Sequence, residues 1–525
     1  MAFRYKEKCL ITAGLACISL IIIASLLYLP STDDFSVRSL QMVRDIANRR
    51  MAQSHDREIL REKIQKANIP PPPLPPVQSV GSDSALVAQQ DATAELARRR
   101  NFIKQMTKFA WDSYEKYAWG MNELRPLSQT GHSASIFGSG ETGATIVDAL
   151  DTLYLMGLHE EYQRARNWIA SSLNLKNSIF MEKAVEIAEL LLPAFETPTG
   201  IPYAMFNART GTARNWAWAS GGCSILSEFG SLHLEFEYLS RITNRTIFSE
   251  KVARIREVLS SIEKPEGLYP NYLNPKTGKW GQKHVSVGAL GDSFYEYLLK
   301  SWLLSNKQDD EAKRLYDEAI MAIEKHLLRF SQQSNLAYFV EMKGSRIEHK
   351  MDHLACFIGG LFALESMNEA SLERKSNALR LGEQIGNTCH ESYVRSAIGI
   401  GPESFRFTAD AEAVAVSDRE KYYIQRPEVI ETWFYLWRAT HNEKYREWCW
   451  SAAQAIEKYC RTKSGYSGIR NVYTTNVELD DVQQSFIFAE TFKYLFLVFS
   501  DEGVLPLGKW VFNTEAHPIP IASAA

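Results

Sequence analysis

From Arg99 onward the apolar and polar positions repeat one pattern: a helix apolar on nearly all sides, a tight polar connection, then an amphipathic helix that opens on an aromatic residue. The stretches 153–162, 238–248 and 435–445 carry this junction in three places, ending at Tyr162, Phe248 and Tyr445. A helix apolar all round is a buried one, and an amphipathic neighbour is the natural cover for it. The pattern predicts buried members near 143–158, 222–242, 286–306, 349–366, 427–440 and 480–500. Their amphipathic followers are predicted near 160–174, 246–262, 310–330, 370–393 and 443–461, with one more helix at about 101–118. Repetition of helical hairpins predicts an all-α solenoid or, where the array closes on itself, an α/α toroid. One irregularity breaks the alternation: two follower-type helices, 160–174 and 180–194, come in succession with no buried partner between them.

The N-terminus has a different grammar. Residues 9–29, Cys9 to Leu29, form an unbroken run of apolar or small side chains, long enough to span a bilayer as a helix and without a small-residue cleavage signature. Arg4, Lys6 and Lys8 precede it and Asp33 and Asp34 follow. The positive-inside rule therefore leaves residues 1–8 as a cytosolic tail and places the rest on the far side of the membrane, a single-pass type II arrangement. Residues 30–98 read as a stem: a charged segment with scattered apolar positions, a proline spacer at 70–76, and a small, polar stretch up to Gln90. The globular domain is predicted over 99–525.

Composition narrows the classes. A chain of 525 residues with 45% hydrophobic and 11% aromatic content can bury a large core. Its formal net charge of -3 gives no basic face for nucleic acid, so that partner is dropped. Beyond the anchor lie Cys223, Cys356, Cys389, Cys449 and Cys460, an odd number that leaves at least one thiol free if pairs form within the chain. Asn244-Arg245-Thr246 is a glycosylation sequon, in keeping with a non-cytosolic domain. Zinc-type Cys/His spacing, a serine-nucleophile elbow and a phosphate-cradling glycine loop are all absent from the sequence.

The chemistry centres on the stretch 426–433, where Arg426, Pro427, Glu428 and Glu431 open an apolar helix with two carboxylates one turn apart. Pro427 suits the first helical position and the helix dipole favours acids in the first turn, so capping alone would account for Glu428. The three-residue spacing, however, puts both acids on one side of a buried helix. Acids recur at comparable places: Asp148 and Asp151, Glu228, Asp292 and Glu296, Asp352 beside His353, and Glu490. Buried carboxylates are costly, and one per repeat would line a common cavity with oxygen ligands and proton-transfer groups. Such a cavity suits sugar binding, glycosidic cleavage by a carboxyl pair, and a hard cation.

These motifs resemble a known family. Gly131-His132-Ser133-Ala134, the stretch 148–153, Pro198-Thr199-Gly200-Ile201-Pro202-Tyr203, the stretch 291–297, Lys350-Met351-Asp352-His353-Leu354, Arg426-Pro427-Glu428 and the stretch 512–518 occur together and in family order. From about Arg99 to its end the chain resembles the class I α-1,2-mannosidases, family 47 of the glycoside hydrolases, and their Golgi members in particular. The resemblance implies an (αα)7 barrel that hydrolyses terminal α-1,2-linked mannose from high-mannose N-glycans on glycoproteins, with inversion and with Ca2+ as cofactor, in a Golgi membrane protein whose catalytic domain is lumenal. Carried over by position, Glu428 corresponds to the general base, Asp292 to a second essential carboxylate, and Thr514 to the calcium ligand. Glu228, Asp352, His353, Arg426, Glu431, Glu490 and Glu515 correspond to positions around the sugar or the water shell of the ion, and Cys356 and Cys389 to the family disulfide, which leaves Cys223, Cys449 and Cys460 as thiols.

The chain also departs from the family. Between Trp168 and Met181 the family has a further segment, a Ser-Val-Phe-Glu motif followed by a buried helix, and its glutamate is the family's proposed general acid; none of it is present here. The absent helix is the one that the alternation lacks. The chain therefore reads as a splice variant or gene-model product of a Golgi-type mannosidase without one inner helix. Against active hydrolysis stands the reading of a catalytically impaired glycan-binding or unstable product. A structural solenoid scaffold is disfavoured because the matches concentrate in pocket-type residues.

Overall fold

The structure is a computed structural model that describes residues 11–12, 82–137, 142–172, 179–207 and 210–523. The chain divides into a larger unit that takes in Leu96–Ala525 and a smaller one, Leu26–Glu95. Its principal helices are α1 (Ser82–Ala118), α2 (Ala144–Leu155), α3 (His159–Ser172), α4 (Ile179–Leu191), α5 (His233–Thr243), α6 (Thr246–Ser261), α7 (Asp292–Leu304), α8 (Asp310–Leu327), α9 (Phe357–Asn368), α10 (Leu372–Val394), α11 (Glu428–Thr440), α12 (Lys444–Tyr459) and α13 (Phe492–Val498). A π turn, Ile487–Thr491, leads directly into α13.

Burial separates these helices into two kinds. In α9 every residue from Phe357 to Ser366 is buried, and in α11 every residue from Val429 to Arg438. By contrast α8 buries a single stripe at helical spacing, including Leu315, Ala319, Ile323 and Leu327, and turns its other side to solvent. Each inner helix packs on the amphipathic helix that follows it: α2 on α3, α5 on α6, α7 on α8, α9 on α10 and α11 on α12. Inner helices also pack on one another, in the order α5, α7, α9, α11 and α13, and the π turn before α13 packs on α2. Among the described residues six helices are of the inner kind (α2, α5, α7, α9, α11, α13) and seven of the outer kind, because α3 is followed by α4. This is the all-α, α/α barrel arrangement that the repeat predicts, with the predicted break in alternation at the predicted place.

Several inner segments start later than the apolar pattern suggests. The stretch 222–242 holds the strand Ser224–Ile225, a helical turn at Leu226–Phe229 and only then α5; 349–366 holds the strand Lys350–Asp352 before α9; and α7 begins at Asp292 rather than near 286. The apolar residues ahead of α9 belong instead to a small antiparallel sheet, Lys350–Asp352 paired with Ser404–Phe407, and those ahead of α7, 286–291, form a turn. Their side chains are buried for a different reason, which helical periodicity cannot distinguish from a longer helix.

The N-terminal region brings two differences. Helix α1 starts at Ser82, inside the predicted stem of 30–98, because Ser82-Asp83-Ser84 is a good helix entry and the alanine- and glutamine-rich residues after it favour helix. Of the predicted anchor 9–29 only Ile11–Thr12 are described, and they form a strand whose backbone pairs with Phe206 and Met205 at the open edge of the hairpin Met205–Asn207/Thr212–Arg214. The rest of the anchor, the cytosolic tail 1–8 and the proline spacer lie outside the described residues. Among the described residues no helix is long and apolar enough to cross a membrane. Cys356 and Cys389 form a disulfide that ties the entry of α9 to α10, while Cys223, Cys449 and Cys460 are buried free thiols.

Candidate functional site

Helices α7 and α11 start at one cavity of about 260 Å³, and the residues that line it include Asp292, Glu296, Arg426, Glu428, Glu431, Glu490, Thr514 and Glu515. Six of the eight are acids from four separate segments. Asp292 and Glu428 are each the first residue of an inner helix, so both point from a helix N-terminus toward the same space. Glu490 comes from the π turn, and Thr514 and Glu515 from the tip of the hairpin Trp510–Phe512/Pro518–Pro520.

That hairpin is anchored by its aromatic stem and a hydrogen-bonded tip. The Phe512 ring lies 6.1 Å from that of Phe434 on α11 and 5.9 Å from that of Tyr494 on α13, which threads the strand among inner helices. At the tip the Asn513 side-chain oxygen accepts from the Glu515 and His517 amides at 3.1 and 2.7 Å, and Lys493 Nζ donates to the Ala516 carbonyl at 2.8 Å. Thr514 is thereby presented to the cavity. Asp151 and His517, behind the tip, form a buried cluster with Lys493: Asp151 accepts from Lys493 at 2.8 Å and from His517 at 3.1 Å. Asp151 is a structural ion-pair partner in this arrangement.

Around Glu428 the chain builds a relay of fixed partners. Its Oε2 lies 2.7 Å from His353 Nδ1, and His353 Nε2 lies 2.9 Å from the Tyr393 hydroxyl. Arg426 forks onto Glu403 with contacts of 2.7 and 2.8 Å and keeps Nη1 at 3.9 Å from Glu428. Burial works to raise the Glu428 carboxyl, but the His353 hydrogen bond and charge, together with Arg426, outweigh it and hold the group below the usual range. Glu428 is thus ionised at neutral pH. One turn on, Glu431 accepts from the Tyr494 hydroxyl at 2.6 Å.

Asp292 has the opposite environment. Burial pushes its carboxyl up to about 8, its bond from the Ser293 amide being too little to offset that, and Asp352, Glu428 and Glu296 push it further. One carboxyl that holds its proton and one that does not, in the same cavity, is the usual signature of an acid and a base with separate roles.

Glu431, Glu490 and Glu515 are also raised, first by burial and then by one another or by other nearby acids. Glu515 Oε2 is buried with no partner among the described residues, and the nearby cations are engaged, Lys300 with Glu296 and Lys493 with Asp151. An oxygen-only donor set with surplus negative charge fits a hard cation such as calcium. Among the described residues no three His, Cys, Asp or Glu groups converge closely enough to hold a metal directly. Thr514, Glu431, Glu490 and Glu515 are the residues of this cavity that would hold such an ion, directly or through water.

Not every predicted residue reaches the cavity. Asp352 spends both oxygens on backbone, accepting from Ala355 N at 2.8 Å and Ala289 N at 3.1 Å, and a Cβ at Gly288 would lie only 2.1 Å from its Oδ1. It clamps the loop that leads into α7 rather than facing the cavity. His353 stands behind Glu428 and positions it. Glu228 accepts from Trp216 Nε1 at 2.7 Å, lines a separate narrow cleft with Pro202 and Ser224, and is pushed up to about 7 by burial. Glu403, the partner of Arg426, is a site residue that the sequence reading missed; the only available signal was that a buried arginine needs a carboxylate from somewhere.

Comparison with known proteins gives these features relatives. The chain matches the family model for glycosyl hydrolase family 47 over residues 106–179 and 174–521. It is 54% identical to mannosyl-oligosaccharide alpha-1,2-mannosidase IA of Drosophila melanogaster over 479 residues, 86% of this chain and 71% of the relative. Against mannosyl-oligosaccharide 1,2-alpha-mannosidase IB of Mus musculus the identity is 52% over 480 residues, 86% of this chain and 74% of the relative. The solved alpha-1,2-mannosidase from Trichoderma reesei superposes with a TM-score of 0.73 at 26% identity, covering 81% of this chain and 99% of that one. The two stretches of the family match meet at 174–179, between α3 and α4. The fly alignment is 479 positions long yet takes in 86% of 525 residues, about 452, so about 27 positions of the relative have no counterpart here.

Proposed function

The chain belongs to glycosyl hydrolase family 47, a family of glycosidases, and we propose that its reaction is the inverting, calcium-dependent removal of terminal α-1,2-linked mannose from high-mannose N-glycans. The observation that carries this reading is that Asp292 and Glu428 each open an inner helix at one cavity, Glu428 against His353 and Arg426 and Asp292 with no cation beside it among the described residues. Glu428, ionised and oriented by His353, takes a proton from the water that attacks the anomeric carbon. Asp292, protonated, is the carboxyl in this chain that can give a proton to the departing oxygen. Arg426, fixed by Glu403, keeps the space beside Glu428 polar and offers a donor to sugar hydroxyls. Calcium held by Thr514, with water oriented by Glu431, Glu490 and Glu515, supplies a hard centre for sugar hydroxyls when bound.

The lumenal face of the Golgi is the proposed location, as a single-pass type II protein anchored by residues 9–29. The disulfide Cys356–Cys389 supports a non-cytosolic domain. About 27 unmatched positions are enough for one inner helix with its connections, since 20 helical residues span ~30 Å. We place that absent helix between α3 and α4, where the family match divides and two outer helices adjoin. The second reading, a glycan-binding product with impaired turnover, rests on the same break. The test is proton NMR of mannose released from a high-mannose N-glycan: β-mannose forms first, and Glu428→Gln stops its release. First-formed α-mannose would overturn inversion, and unchanged release by the variant would remove Glu428 from the reaction.

A further inference from the structure

At the other end of α7 lies a second cavity of about 500 Å³, enclosed by α5, α6, the end of α7 and the start of α8. Asp292 starts α7 at the catalytic cavity, whereas Ser301 and Leu304 from its last turns line this one. At about 1.5 Å per helical residue, Ser301 stands about 14 Å along the helix from Asp292. The two cavities are separate.

Arg256 on α6 is 6% exposed, and its guanidinium is only half used. Nη1 pairs with Asp309, whose other oxygen caps α8 by accepting from Ala312 N at 3.0 Å. Nε and Nη2, the two donors of one edge, have no partner among the described residues. That edge presents two parallel N–H groups, the arrangement that binds a pair of adjacent acceptor oxygens. Ser301 Oγ, in a residue 4% exposed, also lacks a partner among the described residues and lines the same cavity.

The charge around the fork decides what those oxygens belong to. Asp309, Glu237 and Glu311 line the cavity beside Arg256 and Arg241. A phosphate or sulfate would meet three acids, and a cation would meet two guanidinium groups. A neutral ligand with adjacent hydroxyls satisfies both sets, since each hydroxyl accepts from the arginine edge and donates to a carboxylate. We propose that this cavity is a second binding site for a neutral sugar residue, held through a vicinal diol on the Nε/Nη2 edge of Arg256. Leu304, Ala253 and Ala522 supply apolar wall for the C–H face of such a ring. The site is independent of the hydrolytic reading, because it shares no lining residue with the catalytic cavity.

Hydrogen exchange on the purified full chain in detergent locates the ligand without relying on turnover. Methyl α-mannoside at saturating concentration slows exchange at least twofold in peptides that span 301–312, and inorganic phosphate at the same concentration does not. Ala253→Trp, an exposed position that fills the mouth and leaves the Arg256–Asp309 pair intact, abolishes the effect while the melting temperature stays put. Ser301→Ala weakens it. Unchanged exchange with sugar, slowing by phosphate alone, or slowing that survives Ala253→Trp would each overturn the proposal.

Discussion

Two sectors of the barrel wall use the same kinds of residue to different effect. Between α9 and α13 every inner helix has an outer one behind it and inner ones beside it; α11 alone packs on α9, α10, α12 and α13. There the N-terminal acids of α11 are fixed by contacts 75 and 63 residues away in sequence, His353 to Glu428 and Tyr494 to Glu431. In the sector of α2, α3 and α4 the outer helices follow one another, and α4 fully buries little more than Phe180, Ala184, Ala188 and Leu191. Beside α3 an open hollow of about 510 Å³ is lined by the half-buried rings of Trp119 and Trp168. The first sector holds an inner helix from both sides, and in the second two outer helices adjoin in sequence without one between them.

The contrast makes its largest prediction for local stability. Amides of α3 and α4 should exchange with solvent at least ~10²-fold faster than those of α9 and α11, because opening them exposes less apolar surface. Hydrogen exchange followed by mass spectrometry reads this directly, and equal protection would erase the difference between the sectors. A second, smaller effect concerns proton inventory in the cavity where α7 and α11 start. Burial raises Asp292 to about 8, so its acid form is present below that pH and is lost as pH rises through it, while Glu428 stays ionised well into the acid range. Mannose release should therefore fall tenfold per pH unit above about 8. A rate that holds up to pH 10 would take the acid role from Asp292.

The smallest effect is expected from the ion. Calcium bound at Thr514 would stabilise the folded state by about 2.7 kcal/mol when free calcium is a hundred times Kd. Chelation should lower the melting temperature by a few degrees and speed exchange least in α3 and α4, which supply no residue to that cavity. The same melting curve in chelator and in calcium would argue against a site there.

The sequence revealed the repeat, the order of inner and outer helices, and the helix start at Pro427–Glu428, because each of these is written in local periodicity and capping chemistry. Where α7 and α9 begin was not legible, since the apolar residues ahead of α9 lie in a strand whose partner, as with Lys350 and Arg406, is distant in the chain, and those ahead of α7 form a turn that Asp352 clamps through the Ala289 amide. The site residues that the resemblance supplied divide the same way. Glu428, Glu431, Glu490, Glu515, Thr514 and Arg426 meet in one cavity, whereas Asp352 turned to backbone amides and Glu228 to an indole, both contacts that only the closed fold creates. Glu403 could not be chosen from among the acids of the chain until its distance to Arg426 was known.

The most direct test of the account compares mannose release by the chain as it stands with release by a chain in which a 27-residue family segment is inserted between α3 and α4. Both are assayed on a high-mannose N-glycan in excess calcium. The account predicts a rate at least ~10²-fold higher with the segment, the contribution expected of a properly placed general acid, together with a higher melting temperature. Equal rates from the two chains would contradict it, and would mean that the inserted segment adds neither a better-placed acid than Asp292 nor support to the wall.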